Sequence, residues 1–171
     1  MMKKCYILLV SFLISSCTSL DLEKDTVKKL LEQTGKYPHT HTYEIYFKDS
    51  EDGRRAVDAG LEKEGYVNVQ RNRKSGDNTR PVITFTEKAK PYLLEPDKGQ
   101  LSSVQKVSIA KEVLGEIVDL QVDKEKKQAK TIYTTQFTDI SPFARLTKKD
   151  FTEKKRHEAV LVLDQGTWKI Q

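Results

Sequence analysis

The sequence predicts an α+β fold, in which a mixed α/β part over residues 17–95 is followed by a small antiparallel β-sheet part over residues 104–171. Three observations predict it. Residues 20–34 and 51–64 carry apolar side chains at helical spacing, whereas 42–48, 66–71 and 81–86 alternate like half-buried strands. Past residue 104 the helical spacing stops, and strand-like runs follow one another at 113–122, 129–138, 158–163 and 167–170. Between the two parts, 96–103 holds Pro96, Gly99 and two serines, the composition of a linker.

The first helix has Leu20, Val27, Leu30 and Leu31 as its apolar stripe, with Leu22 beside it. Asp21, Glu23 and Asp25 lead, and Lys28 and Lys29 follow, an order that suits the helix dipole. Gly35 is a C-cap, and Pro38 bars continuation. In the strand 42–48, Tyr43, Ile45 and Phe47 share one face, and Glu44, Tyr46 and Lys48 the other. Ser50 caps the second helix, Glu51 and Asp52 fill its first turn, Val57 and Leu61 line its inner side, and Gly65 ends it. The strands 66–71 and 81–86 are joined through a polar tip with Ser75-Gly76-Asp77-Asn78 as turn chemistry. Thr86-Glu87-Lys88 starts a short helix that Pro91 interrupts. In the second part, Lys124-Glu125-Lys126-Lys127 and Asp164-Gln165-Gly166 are turns. Residues 159–163 are apolar on both faces, which predicts a strand in the interior of its sheet.

The N-terminus has a separate logic. Met1-Met2-Lys3-Lys4 is a short basic segment, and residues 6–14 form an apolar run too short to span a bilayer, which takes about 20 apolar residues. The run ends in Ile14-Ser15-Ser16-Cys17. This resembles the bacterial lipobox: an aliphatic residue, two small residues that fit a narrow peptidase site, and a cysteine whose thiolate takes the lipid. The resemblance implies that residues 1–16 are a signal peptide and that Cys17 is lipidated, which would anchor the chain to a membrane. In enterobacteria an Asp after the lipid-bearing cysteine favours the inner membrane. Thr18 stands there instead, so the resemblance implies the outer membrane, facing the periplasm.

Removal of 1–16 takes away Lys3 and Lys4 and leaves 28 basic and 25 acidic residues, a net charge of +3. That near balance gives no electrostatic reason to expect a nucleic-acid partner. The chain has two cysteines, Cys5 and Cys17, one in the removed segment and one committed to lipid, so no disulfide is expected.

Gly60-Leu61-Glu62-Lys63-Glu64-Gly65-Tyr66-Val67, the polar hairpin, and Thr84-Phe85-Thr86-Glu87-Lys88-Ala89-Lys90-Pro91-Tyr92-Leu93 together resemble the end of a winged-helix domain. There a helix ends in a Leu-x-x-x-Gly turn and feeds a two-stranded wing closed by a Thr-Glu-Lys cap. The resemblance covers about 35 residues, and only two helices precede the wing where the family has three. The chain as a whole is similar to a loose group of uncharacterised bacterial lipoproteins that join a wing-bearing part to a small β-rich part. Tyr133-Thr134-Thr135, Ser141-Pro142-Phe143 and the closing 163–170 run carry that second similarity. It implies architecture and location, not an activity.

Candidate sites are sparse. His39 and His41 lie two apart, and a metal site would need a further ligand such as His157 or a carboxylate. The spacing supplies none, so the pair reads as a solvated loop before the strand, with no metal and no cofactor expected. Asp49, Glu51 and Asp52 sit where a helix dipole accounts for them. No nucleophile elbow, P-loop or dinucleotide fingerprint occurs, so no catalytic residues are assigned. Arg71, Arg73, Lys74 and Arg80 make a basic hairpin tip, read either as a solvated tip or as a contact for an anionic envelope surface. Ser141-Pro142-Phe143 is either an exposed aromatic turn for a partner or a hydrophobic plug. The expectation is a non-catalytic envelope lipoprotein of structural, adaptor or binding type, with an envelope protein or anionic polymer as partner. A small envelope hydrolase or metal-dependent enzyme is the alternative.

Overall fold

A computed structural model describes residues 21–71, 80–97, 99 and 102–171. Residues 1–16, Cys17 and Leu20, on which the expected signal peptide, lipid site and start of the first helix fall, lie outside the described residues, as do Arg73, Lys74 and the 75–78 tip.

In chain order, helix α1 (Lys24–Gln33) is followed by strand β1 (His39–Tyr46), helix α2 (Ser50–Asp58) and the short strands β2 (Val67–Val69) and β3 (Ile83–Phe85). A 3-10 turn at Glu87–Tyr92 leads to β4 (Val104–Asp123) and β5 (Gln128–Thr138). A second 3-10 turn, Pro142–Leu146, precedes β6 (Lys155–Asp164) and β7 (Thr167–Ile170). β1, β4, β5, β6 and β7 form one antiparallel sheet in that order, and β2 and β3 pair separately. Of the described residues, 43% are strand and 21% helical, so the protein is mostly β.

The winged-helix expectation is therefore corrected. β1 does not link two helices of a bundle; it pairs with β4 from beyond residue 104. The two helices do not share a core. α1 buries Val27 and Leu31 against Ala129, Tyr133, Leu161 and Trp168, whereas Ala56 of α2 packs with Ile45, Leu61, Ile83 and Phe143. The α+β class with a winged-helix-like N-terminal part gives way to a curled five-stranded sheet with helices laid on it. The local pattern that suggested a wing is real as a hairpin, but its strands are only three residues each.

Local chemistry explains the element ends. α1 stops where the Thr34 hydroxyl bonds back to the Leu31 carbonyl at 2.6 Å and Gly35 takes φ +70°. α2 starts on Asp49, whose side chain accepts from the Glu51 N–H at 2.9 Å. It ends at Asp58 rather than 64, because Gly60 adopts φ +73°. Gly53 lets α2 lie close to the hairpin: a Cβ there would stand 2.8 Å from Val82 Cγ1.

β4 organises the rest. Its first half pairs with β1 and its second half with β5, with a register shift on each side. The β1 shift falls between His41 and Thr42, opposite Ser108 and Ala110, and leaves Val107, Ile109 and Ala110 all buried. Gly115 sits at the second irregularity, where a Cβ would meet Thr134 Oγ1 at 2.5 Å. β6 is paired on both sides, as its apolar faces predict.

Candidate functional site

Directly opposed residues of an antiparallel pair share a face. Across the sheet, His39 opposes Glu112, which opposes Phe137; Leu114 opposes Thr135, which opposes Lys155; Tyr133 opposes His157. One face of the sheet thus gathers residues from four strands. Apolar clusters lie at both ends of this face, one containing Phe137, Phe143 and Phe151 and the other Tyr133, Leu161 and Trp168. Between them runs a polar seam.

Glu112 is its centre and is only 8% exposed. One carboxylate oxygen accepts from His41 Nε2 at 2.6 Å, and the other accepts from the Thr135 hydroxyl at 2.6 Å. Because the Thr135 proton is spent on Glu112, its oxygen accepts from His157 Nε2 at 2.9 Å. On the far side, Lys149 Nζ lies 3.4 Å from His41 Nδ1. With Lys149 an ammonium and Glu112 a carboxylate, one arrangement satisfies all four contacts: Lys149 donates to His41, His41 and Thr135 donate to Glu112, and His157 donates to Thr135. Burial works against the Glu112 carboxylate, but the bonds from Thr135 and His41 and the nearby Lys155 charge outweigh it and hold its pKa below the usual carboxylate value.

Aromatic rings frame the seam. His39 meets His41 edge-on at 4.8 Å, His41 meets Phe137 at 5.3 Å, and His157 stacks on Tyr133 at 5.2 Å. Lys149 lies over Phe137 at 4.4 Å, and Lys155 approaches the same ring at 5.3 Å. Burial, and then Lys155, lower the Lys149 pKa. Burial and the Tyr133 hydroxyl hold the Tyr37 phenol well above its ordinary value.

His39 and His41 are therefore strand residues of β1, not a loop, and the structure brings both Glu112 and His157 to them. Among the described residues, however, no group of three or more His, Cys, Asp or Glu is arranged to hold a metal ion. Thr135 stands between His157 and Glu112, whose direct separation is 3.9 Å, and two ammonium groups flank the cluster. The three carboxylates near α2 are dispersed. Asp49 caps the helix, Glu51 pairs with Arg54, and Asp52 accepts from the Tyr46 N–H at 2.7 Å and from Arg55 at 3.0 Å. Arg71 pairs with Glu62, which also accepts from the Val69 N–H at 2.9 Å. Arg80 is exposed at the other root of the hairpin, while Arg73 and Lys74 are outside the described residues. Phe143 is fully buried against Tyr66, Phe85 and Tyr92, so Ser141-Pro142-Phe143 is a plug rather than an exposed turn.

No protein-family model, curated protein or solved structure matches the chain. The site thus rests on its own geometry. A depression of about 670 Å³ lies elsewhere, open to solvent at the β4–β5 turn, with Val122, Ala129, Lys130 and Val160 in its lining. No described helix is long and apolar enough to cross a membrane.

Sequence reasoning found the histidines but not Glu112, Thr135, Lys149 or Lys155. A signal existed for two of them. Thr135 shares strand parity with the buried Tyr133 and Phe137, and Glu112 with Leu114, so each occupies an inward position.

Proposed function

We propose that the chain is a lipid-anchored protein of the bacterial cell envelope with a non-catalytic, structural, adaptor or binding role. The observation that carries this reading is the ordered series Lys3-Lys4, apolar residues 6–14, and Ile14-Ser15-Ser16-Cys17. Cys17 takes the lipid, residues 1–16 are cleaved, and Thr18 in place of Asp favours the outer membrane, with the domain facing the periplasm. An acylated cysteine supplies the two or more chains that stable anchoring requires.

The inner-face geometry favours a binding or structural role over the hydrolase alternative. Both oxygens of Glu112 are occupied by fixed donors, and the open depression at the β4–β5 turn lies apart from that cluster. An envelope protein or an anionic envelope polymer is the partner class, with Arg71, Arg73, Lys74 and Arg80 as the contact residues; the membrane itself is reached through Cys17.

The test is direct. Wild-type protein from membranes should show an N-terminal peptide beginning at an acylated Cys17, and Cys17→Ser should leave an uncut precursor without lipid. An unmodified Cys17 by mass spectrometry, or a cut elsewhere, refutes the reading.

A further inference from the structure

We propose that residues 147–154 form a strap over the inner face of the sheet that Lys149 latches onto neutral His41, and that protonation of His41 releases it. The strap joins the Pro142–Leu146 turn to β6 and has no helix or strand of its own. Phe151, buried edge-to-face with Phe137 at 5.1 Å, and Lys149 are the partly or fully buried side chains that bring it down on the sheet, and exposed Lys154 adds a 3.9 Å ion pair to Glu116 of β4.

The proton inventory makes the latch conditional. His41 Nε2 must carry its hydrogen, since it faces the Glu112 carboxylate at 2.6 Å. Nδ1 must then offer its lone pair, because the group facing it is the Lys149 ammonium, which has donors only. A second proton on His41 would occupy Nδ1 and turn the contact into two N–H groups, each on a cation, facing one another. The titratable groups touching His41 are Glu112 on β4, His39 on β1 and Lys149 on the strap; one step further out, His157 on β6 reaches Glu112 through the Thr135 hydroxyl of β5, and Lys155 on β6 lies over Phe137, the ring that His41 meets edge-on. Only Glu112 is an anion. An imidazolium keeps its bond to Glu112, so the repelled partner is Lys149, which sits on the segment least tied by backbone pairing. The ammonium there is already disfavoured by burial and by Lys155. As the strap lifts, Phe151 leaves Phe137, and an aromatic surface edged by Lys155 opens on the sheet. None of this depends on the lipid anchor.

Hydrogen–deuterium exchange on the full chain in detergent micelles tests it, at pH ~7.5 and ~5.5, either side of the ordinary imidazole pKa of about 6.5. Rates are corrected for intrinsic exchange. Protection over 147–154 should fall about tenfold at the lower pH while β4 and β5 amides keep theirs. His41→Gln and, separately, Lys149→Met should each abolish that difference, and His157→Gln should retain it. Equal protection of the wild-type strap at both pH values overturns the proposal. So does a pH response that survives Lys149→Met or disappears with His157→Gln. Lys149→Met keeps the test valid if His41→Gln fails to fold.

Discussion

Replacing Thr135 with valine keeps the shape of the side chain and deletes one hydroxyl. That hydroxyl is fully buried, donates to Glu112 at 2.6 Å and accepts from His157 at 2.9 Å. A hydrogen bond to a charged acceptor contributes ~1.5–3 kcal/mol, and the extra methyl recovers ~0.8 kcal/mol. His157 keeps 31% of its side chain exposed, so its ring N–H can turn to water and adds little to the loss. The expected net destabilisation is ~1–2 kcal/mol at neutral pH. The folded pKa of Glu112 is depressed below its ordinary 4.5, with burial opposing and Thr135 the largest of the bonds that override it. A depressed folded pKa stabilises fully above the unfolded value, and the contribution fades as pH falls through the folded one. The difference between wild type and Thr135→Val should therefore be full near pH 7 and shrink below 4.5. Urea unfolding followed by Trp168 fluorescence and far-UV circular dichroism measures it. A loss that is the same at pH ~3 and ~7, or under ~0.3 kcal/mol at both, refutes the view that the hydroxyl acts by holding a charged Glu112.

Two further outcomes follow from the packing and the surface. Phe143→Ala empties the centre of a ring of aromatic neighbours and should lower stability by ~3–5 kcal/mol, seen as a large fall in Tm; a shift within error would mean that the plug is not part of the core. Changing Arg71, Arg73, Lys74 and Arg80 together to Gln should lower stability by less than ~1 kcal/mol, since the Arg71–Glu62 pair is largely exposed on the arginine side. If the tip serves the proposed anionic partner, that variant should also lose salt-sensitive retention on anionic vesicles or cell-wall polymer, because such contacts are screened over ~8–10 Å. A marked drop in Tm would show instead that the arginines support the fold.

The elements legible in the sequence were those whose pattern is uninterrupted. The stripe of Val27 and Leu31 and the alternation of Tyr43, Ile45 and Phe47 identified α1 and β1 within a few residues. The first half of β4 was not legible, because the bulge opposite His41 and Thr42 buries Val107, Ile109 and Ala110 and so destroys the alternation that marks a strand. Without that half-strand β1 had no visible partner, and the hairpin after α2 resembled a wing. A hairpin motif describes its own turn and strands; it does not say what the preceding helix packs against. The same limit applies to the seam. His39 and His41 are neighbours in sequence and visible there as a pair, whereas Glu112 is 71 residues from His41, and Thr135 is 23 from Glu112. Only strand pairing brings them together, and pairing was what the bulge concealed.

β4 is one twenty-residue strand that serves both apolar clusters, contributing Val107, Ile109 and Ala110 to one and carrying Leu114, Ile117, Leu120 and Val122 along the other. A strand held in common couples what rests on it. Melting the cluster around Phe143 would strip β1 from its template, and melting the one around Trp168 would strip β5, so neither can come apart while the other keeps its full stability. The hairpin belongs to the same unit, since Val67 and Ile83 are buried with Phe143, so loss of either cluster draws down the other.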